Sequence, residues 1–413
     1  MRVAIVGCGI AGPAAALLLA RDGHEATIVE RVADPRPVGA GILIQPLGQR
    51  ILDELGLLGA LAARSTAVRR FDGRTRSGRR VLDFGYDDAR AGRGSVGLGV
   101  HRAELFTILM AAVRAVAIPV VTGAEVRAIR PGDAGWSLEA GEGAQPATGP
   151  FDLVVVADGA RSRLRTALGI ATKDVGYPYG AIWAVVPDPD RLAGDVLTQR
   201  YDGTRTVLGI LPTGVGLVSI FWSIRTRDID AAIAAGPEAW VAAAREHAGD
   251  LAPLVDRAVA TGILGARYRD VVVPEPIVVR DGRGIVLLGD AAHAMSPQLG
   301  MGASLALADA WALAGALRAN PDDLGRGLQA YTADRRAHIR WYTWLSRIMT
   351  PVFQSDLTPI GWPRDLLFGP ISRLPWVRRQ FVDIQLGRQT SPWTTWPPLA
   401  DDGALSGGRS RRD

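Results

Sequence analysis

Two stretches of this chain look built to bring bare backbone against a ligand. In the first, Gly7-Cys8-Gly9-Ile10-Ala11-Gly12 follows the apolar run Arg2–Val6 and precedes a helix-forming run, Ala14–Ala20. A strand, a glycine turn and a helix in that order give each glycine a task. Gly7 turns tightly, Gly9 lets a pyrophosphate approach, and Gly12 lets the helix pack closely on the strand. The N–H groups at Ile10 and Ala11, where the helix opens, supply partial positive charge to phosphates. A second strand, Ala26–Val29, closes on Glu30-Arg31, eighteen residues beyond Gly12. An acid there accepts hydrogen bonds from a ribose hydroxyl pair. This is dinucleotide chemistry, and the segment alone does not choose between FAD and NAD(P).

The second stretch is GIVLLGDAAHAMSPQLGMGASLALADAW, residues 284–311. A buried strand ends abruptly in Gly289-Asp290, and small residues broken by Pro297, Gly300 and Gly302 follow. Between the two stretches, Phe151–Ala157 is another buried strand, ending in Asp158-Gly159. Asp158 fits either a strand-end turn or a cofactor contact. Arg102 opens the helix Ala103–Ala115; it fits either a surface helix start or a guanidinium aimed at phosphate or ribityl oxygens.

The elements needed to hold these residues can be read in outline. A helix is expected over Pro46–Ala63, an exposed hairpin over Phe71–Phe84, a loop over 86–95, and small-sheet strands at Val120–Ile129 and Trp136–Ala140. Val38–Gln45 is expected to pass near a ligand at Gly39 and Gly41. From about 175 to 280 aromatic-rich strand segments replace the dinucleotide pattern, interrupted by a helix around Pro237–His247. A long helical stretch runs from Asp309 toward Met349. The expected fold class is α/β. A Rossmann-like domain with a parallel sheet (1–72, 96–174 and 281–340) is interleaved with a mixed β-sheet substrate domain (73–95 and 175–280). A Trp/Pro-rich C-terminal region (341–400) and a disordered tail (401–413) follow.

Composition narrows the function classes. The 413 residues carry a net charge of +5, but all basic residues except Lys173 are arginines scattered among acids, so no nucleic-acid footprint is visible. Cys8 is the lone cysteine, which excludes an internal disulfide and fits a cytoplasmic setting. No apolar run approaches the ~20 residues that span a bilayer, and the expectation is no stable membrane association. The five histidines show no metal-ligand spacing, so no metal is expected, and no GxSxG elbow supports an esterase.

GCGIAG at 7–12, DGARSRLR at 158–165 and GDAAHAMSPQLGMGASLALADA at 289–310, with Arg102 between the first two, stand in the order seen in one family. The chain resembles the single-component FAD-dependent aromatic hydroxylases, the para-hydroxybenzoate hydroxylase-like or group A flavin monooxygenases, from residue 1 to about 340. The resemblance implies that Gly7, Gly9 and Gly12 hold the FAD pyrophosphate, Glu30 with Arg31 the adenosine ribose, and Asp290 a ribityl hydroxyl. It places Arg102 and Asp158 at the cofactor, and Pro297, Gly300, Met301 and Gly302 at the flavin ring. It also implies that NAD(P)H (NADPH or NADH) reduces the flavin. O2 then adds at C4a, and the hydroperoxide delivers oxygen to an aromatic or polycyclic small molecule. Family members often carry Gln and Asn where Met301 and Ser304 stand, so side-chain details near the ring are open.

Trp183, Tyr201, Ile220 and Trp222 are candidates for a substrate cavity; core packing accounts for the same residues. His293 reads as an acid/base group or as a structural histidine. Six tryptophans after residue 340 suit a roof over the site, a dimer surface or the packing of an extended wrap. The assembly is expected to be a monomer or homodimer. Two other readings stay open: a relative catalysing epoxidation, N-hydroxylation, Baeyer–Villiger oxidation or reduction, and a non-catalytic flavin binder. A halogenase is set aside, because its WxWxIP segment is missing.

Overall fold

The computed structural model describes residues 1–35, 39–141 and 149–396. Val38 and the tail 401–413, for which expectations were given, lie outside the described residues. Among the described residues, two sheets organise the chain.

The first has six strands in the order Ile277–Arg280, Arg283–Leu287, Leu153–Val156, Arg2–Val6, Glu25–Val29, Val120–Val121. All neighbours pair in parallel except Ile277–Arg280, which is antiparallel to Arg283–Leu287. Leu153–Val156 is buried at every position, the mark of a strand covered on both faces. Helices Ala11–Arg21 and Gly302–Arg318 pack together on one face. On the other lies the hairpin Val126–Gly132 with Gly135–Ala140.

The second sheet has seven strands in the order Ile263–Ala266, Tyr179–Pro187, Leu217–Arg225, Thr206–Pro212, Val196–Asp202, Arg70–Thr75, Arg80–Gly85. The pair expected as an exposed hairpin is its far edge. Arg70–Thr75 runs parallel to Val196–Asp202, and Phe71 stacks on Phe84, both buried. Long-range pairing explains the difference: the charges that suggested exposure point away from that stack.

Local expectations shift elsewhere too. Residues 46–63 form two helices, Pro46–Glu54 and Leu58–Ala62, because Gly56 adopts φ 70° between them. The loop at 86–95 contains two 3₁₀ turns, Tyr86–Asp88 and Arg90–Gly92. Val120–Val121 joins the six-stranded sheet rather than a small one. The helix Leu324–Phe353 runs unbroken through the expected boundary at 340, and Ile277–Arg280 belongs to the six-stranded sheet. The C-terminal region is not an extended wrap: it carries two helices, Gly361–Ser372 and Pro375–Leu386.

Candidate functional site

The three motifs, far apart in sequence, meet in space. A Cβ added at Gly7 (φ 107°) would lie 2.4 Å from Ala157 O and 3.0 Å from Asp158 Cα. At Gly12 it would lie 2.1 Å from Gly7 O. At Gly289 (φ 57°) it would press on Ala11 Cβ at 3.3 Å and Ala306 Cβ at 3.2 Å. Three chain segments therefore interlock through contacts that leave no room for a side chain. At Gly9 and Gly302, by contrast, a Cβ would meet nothing within 4 Å. There the backbone is bare toward open space.

At Gly9 that space is a cleft lined by Gly7, Cys8, Gly9, Glu30, Arg31, Arg102, Asp158 and Gly159. Glu30 is fixed in it by two backbone donors, Cys8 N–H to Oε2 at 2.8 Å and Val32 N–H to Oε1 at 2.9 Å. Each carboxylate oxygen keeps a lone pair for a hydroxyl. The Cys8 thiol points the other way, onto Met110 Sδ at 3.1 Å, and burial, then Glu30, pushes its pKa up to about 12. It is packing, not a nucleophile.

Arg102 lies against Gly39 (φ 139°), whose added Cβ would be 3.1 Å from the arginine Cβ and Cδ. Among the described residues its guanidinium makes no ion pair, and neither does the exposed Asp290, first residue of the short helix Asp290–His293. Asp158 Oδ1 is buried without a hydrogen-bond partner, and desolvation raises its carboxyl above the ordinary carboxylate range. Unpartnered polar atoms around a bare glycine backbone fit a dinucleotide that supplies the missing partners.

In the third motif, Pro297–Leu299 forms one 3₁₀ turn ended by Gly300 in the left-handed region (φ 62°). Helix Gly302–Arg318 starts immediately after it, with no side chain capping its first N–H groups and open space at Gly302. Met301 and Ser304, the two departures, do not point there. Met301 is buried among Leu299, Leu305, Tyr342 and Leu345, and Ser304 Oγ accepts from Gln45 N–H at 3.1 Å. Only their backbones are available to a ligand.

Gln45 itself was not singled out by the sequence. It is fully buried, accepts from the Tyr86 hydroxyl and donates to Gln385, and an added Cβ at Gly300 would be 3.8 Å from its Nε2. A second buried network was equally hidden. Asp309 accepts from Gly289 N–H at 2.8 Å, from His293 Nε2 at 2.5 Å and from Arg335 Nε at 2.9 Å. His293 is thus held as a structural partner of Asp309. Arg335 also donates to His338 Nδ1, His338 Nε2 donates to Gly387 O at 2.8 Å, and Trp396 stacks on His338. The one readable sign was the i, i+3 spacing of Arg335 and His338 on a helix.

Burial, then Arg335, holds His338 neutral, with its pKa well below the ordinary histidine value. An unfolded chain takes up that proton below about pH 6.5 while the folded one does not. Stability is therefore complete above that pH and falls as pH drops through it. Urea midpoints from neutral to mildly acidic pH are expected to fall more steeply for the native chain than for His338→Gln.

The seven-stranded sheet divides the cavity candidates. Ile220 and Trp222 alternate with Phe221 and point to the far face. There Ile220 is buried against the helices Glu238–Ala248 and Ala252–Arg257, and Trp222 meets His247 edge-on. Both belong to the core, because the strand's period of two sends alternate residues to opposite faces. On the near face Trp183 packs on Phe221 at 4.9 Å, and the Phe221 ring lies over Gly209, where a Cβ would meet it at 1.8 Å. Tyr201 packs on Phe353 on this same side and donates to Gln199 at 2.7 Å.

Comparison with known proteins agrees with this architecture. Residues 1–343 match the family described as FAD binding domain. The chain belongs to the FAD-dependent aromatic hydroxylase family. This flavin monooxygenase is 31% identical over 354 residues to a putative 2-heptyl-3-hydroxy-4(1H)-quinolone synthase of Rhodococcus erythropolis, covering 83% of this chain and 87% of that one. It is 30% identical over 363 residues to 3-amino-4-hydroxybenzoate 2-monooxygenase of Streptomyces platensis, covering 82% and 85%. Among solved structures, Klebsiella pneumoniae HpxO complexed with FAD and uric acid superposes on the monooxygenase with a TM-score of 0.78. Identity is 24%, over 94% of this chain and 97% of that one. The fold is shared.

Proposed function

We propose that this flavin monooxygenase consumes NAD(P)H and O2 in the cytoplasm to insert one oxygen into an electron-rich aromatic ring bearing hydroxyl groups or ring nitrogen. The observation that carries this reading is that the first two motifs, bare or unpartnered, line one cleft with Arg102, while the third interlocks with the first where Gly289 meets Ala11. The molecules named with its relatives share that ring chemistry: a hydroxyquinolone that one is named for making, an aminohydroxybenzoate that another is named for oxidising, and the uric acid bound to a third. When bound, reduced FAD activates O2 and passes one oxygen atom to the substrate.

The chain's own groups do the positioning. Gly9, Ile10 and Ala11 present backbone N–H groups to the pyrophosphate. Glu30 takes the adenosine ribose with Arg31 beside it, and Arg102, Asp158 and Asp290 take the remaining phosphate and hydroxyl groups. Pro297 and Gly300 would stand beside the ring. The helix opening at Met301-Gly302 offers amides and a positive dipole end to the negative charge of the reduced flavin. The near face of the seven-stranded sheet, with Trp183 and Phe221, holds the substrate; Tyr201, sealed under Phe353 and Arg364, and Ile220 and Trp222 on the far face do not take part.

Two measurements test this. Glu30→Ala removes charged acceptors worth about 1.5–3 kcal/mol, so FAD titration is expected to show roughly ten- to hundredfold weaker binding. The purified protein is expected to be yellow and to oxidise NADPH or NADH faster when hydroxylated aromatics are added, with isotopic oxygen from O2 in the product. A colourless protein, or one that returns every reducing equivalent as hydrogen peroxide, would falsify the reading.

A further inference from the structure

The helix Gly361–Ser372 is built inside out. A helix on a water-soluble surface turns its apolar stripe inward and its charges outward. Here Arg364, almost fully buried, lies beneath the helix. Its guanidinium is 4.9 Å from the Tyr201 ring and 5.5 Å from the Phe353 ring, and it donates to Val352 O at 3.1 Å and Asp365 at 2.8 Å. Gly361, Phe368, Gly369 and Ser372 also face inward, Gly369 resting on Arg80 O. The outer face carries only Trp362, Pro363, Leu366, Leu367, Pro370 and Ile371.

This face does not end with the helix. Leu374 and Trp376 continue it into the helix Pro375–Leu386, and Trp393 folds back to within 5.8 Å of Trp376. Trp362 and Trp393 are 76% and 78% exposed, and Leu366 and Leu367 are each more than half exposed. A contiguous apolar surface of this kind marks an interaction site rather than ordinary scatter.

The charges at its edges say what covers it. Arg373 interrupts the run, Arg79 adjoins the strand residue beneath Gly369, and Arg93 follows Gly92, whose added Cβ would touch Val382; all three arginines are exposed. A second copy docked on this face would bury the exposed Arg373 guanidinium among apolar side chains, a costly desolvation. Anionic lipid headgroups complement the three arginines, and tryptophans with arginines bordering an apolar face are the composition of a membrane interface.

We propose that the face formed by Gly361–Ser372 and the start of Pro375–Leu386 lies in the surface of an anionic lipid bilayer. It embeds Trp362, Leu366, Leu367 and Trp376 at the headgroup boundary, with the arginines on the phosphates. No helix among the described residues is long and apolar enough to cross a membrane. The expectation of no stable membrane association rested on that criterion, which bears on crossing and not on lying in the surface.

The full-length, flavin-loaded protein is the material for the test. Co-sedimentation with vesicles of phosphatidylglycerol mixed with phosphatidylcholine is expected, with little on phosphatidylcholine alone. Leu366→Glu with Leu367→Glu is expected to weaken vesicle binding by at least about tenfold, with flavin content and NADPH oxidation in detergent-free buffer unchanged. Arg373→Ala is expected to weaken it about fivefold on anionic vesicles. Failure of the native protein to sediment with anionic vesicles overturns the proposal. So does a dimer in light scattering that Leu366→Glu with Leu367→Glu dissociates, because the face would then be covered by a second copy.

Discussion

A Gly9→Val protein is expected to fold and to purify without flavin. At Gly9 an added Cβ meets no atom within 4 Å, and the residue lies outside the left-handed region, so an L side chain fits the empty chain. The valine would instead occupy the approach of the cofactor's pyrophosphate. Overpacking of this kind costs about 1–3 kcal/mol, or roughly ten- to hundredfold in affinity, and it adds to the lost approach to the helix N-terminus. Gly12→Val is the internal control. Its Cβ would lie 2.1 Å from Gly7 O, so the strand and helix separate and stability falls first. Flavin absorbance per protein, read together with the thermal midpoint against FAD-stripped native protein, separates the two cases. A fully yellow Gly9→Val protein would remove Gly9 from the cofactor site.

Replacing Asp309 is expected to produce the largest loss of stability. The residue is completely buried and pairs at once with Arg335, His293 and the Gly289 N–H. Asp309→Ala leaves the buried Arg335 charge without its counter-ion, and the His293 imidazole and Gly289 N–H without their acceptor. Breaking a buried pair from one side costs about 3–5 kcal/mol, and urea denaturation is expected to show it. The pH dependence carries the same signature. Burial alone would raise the Asp309 carboxyl, but His293 and Arg335 hold it well below the usual carboxylate range. A group depressed in the folded state contributes stability that is present above its ordinary pKa of about 3.9 and is lost as pH falls below it. The acid limb of the native protein below pH 4 is therefore expected to flatten in Asp309→Ala. An unchanged midpoint and an unchanged acid limb would show that the network contributes nothing.

Both substitutions act on the same geometry, since Gly289 joins the Asp309 network to the turn that presents Asp290. A destabilised Asp309 variant is accordingly expected to lose flavin as well, whereas Gly9→Val loses flavin alone. Comparing the two separates damage to the cradle from damage to its support.

What could be read from the residues differs between the two halves of the molecule. Around Gly7–Gly12, Glu30 and Gly289–Gly302, requirements are local. A tight turn needs a glycine, a helix start offers its own amides, and an acid closing a strand sits at a fixed distance from the turn before it. The parallel sheet followed from continuous apolar strands for the same reason. The cavity wall was not legible in that way. Alternation in Leu217–Arg225 separated Phe221 from Ile220 and Trp222, but it did not say which face met the helices Glu238–Ala248 and Ala252–Arg257.

By itself, the sequence determined where backbone is left bare or closely packed, because glycine is the residue that permits either and its neighbours declare the strand and helix on either side. Only the tertiary structure decided that His293 and Arg335 share Asp309, that Met301 and Ser304 turn away from the cleft, and that Arg364 lies inside its helix while Trp362 lies outside. Those outcomes depend on which surfaces distant segments bring together. A side chain's partner across the fold is set by packing, not by its position in the chain.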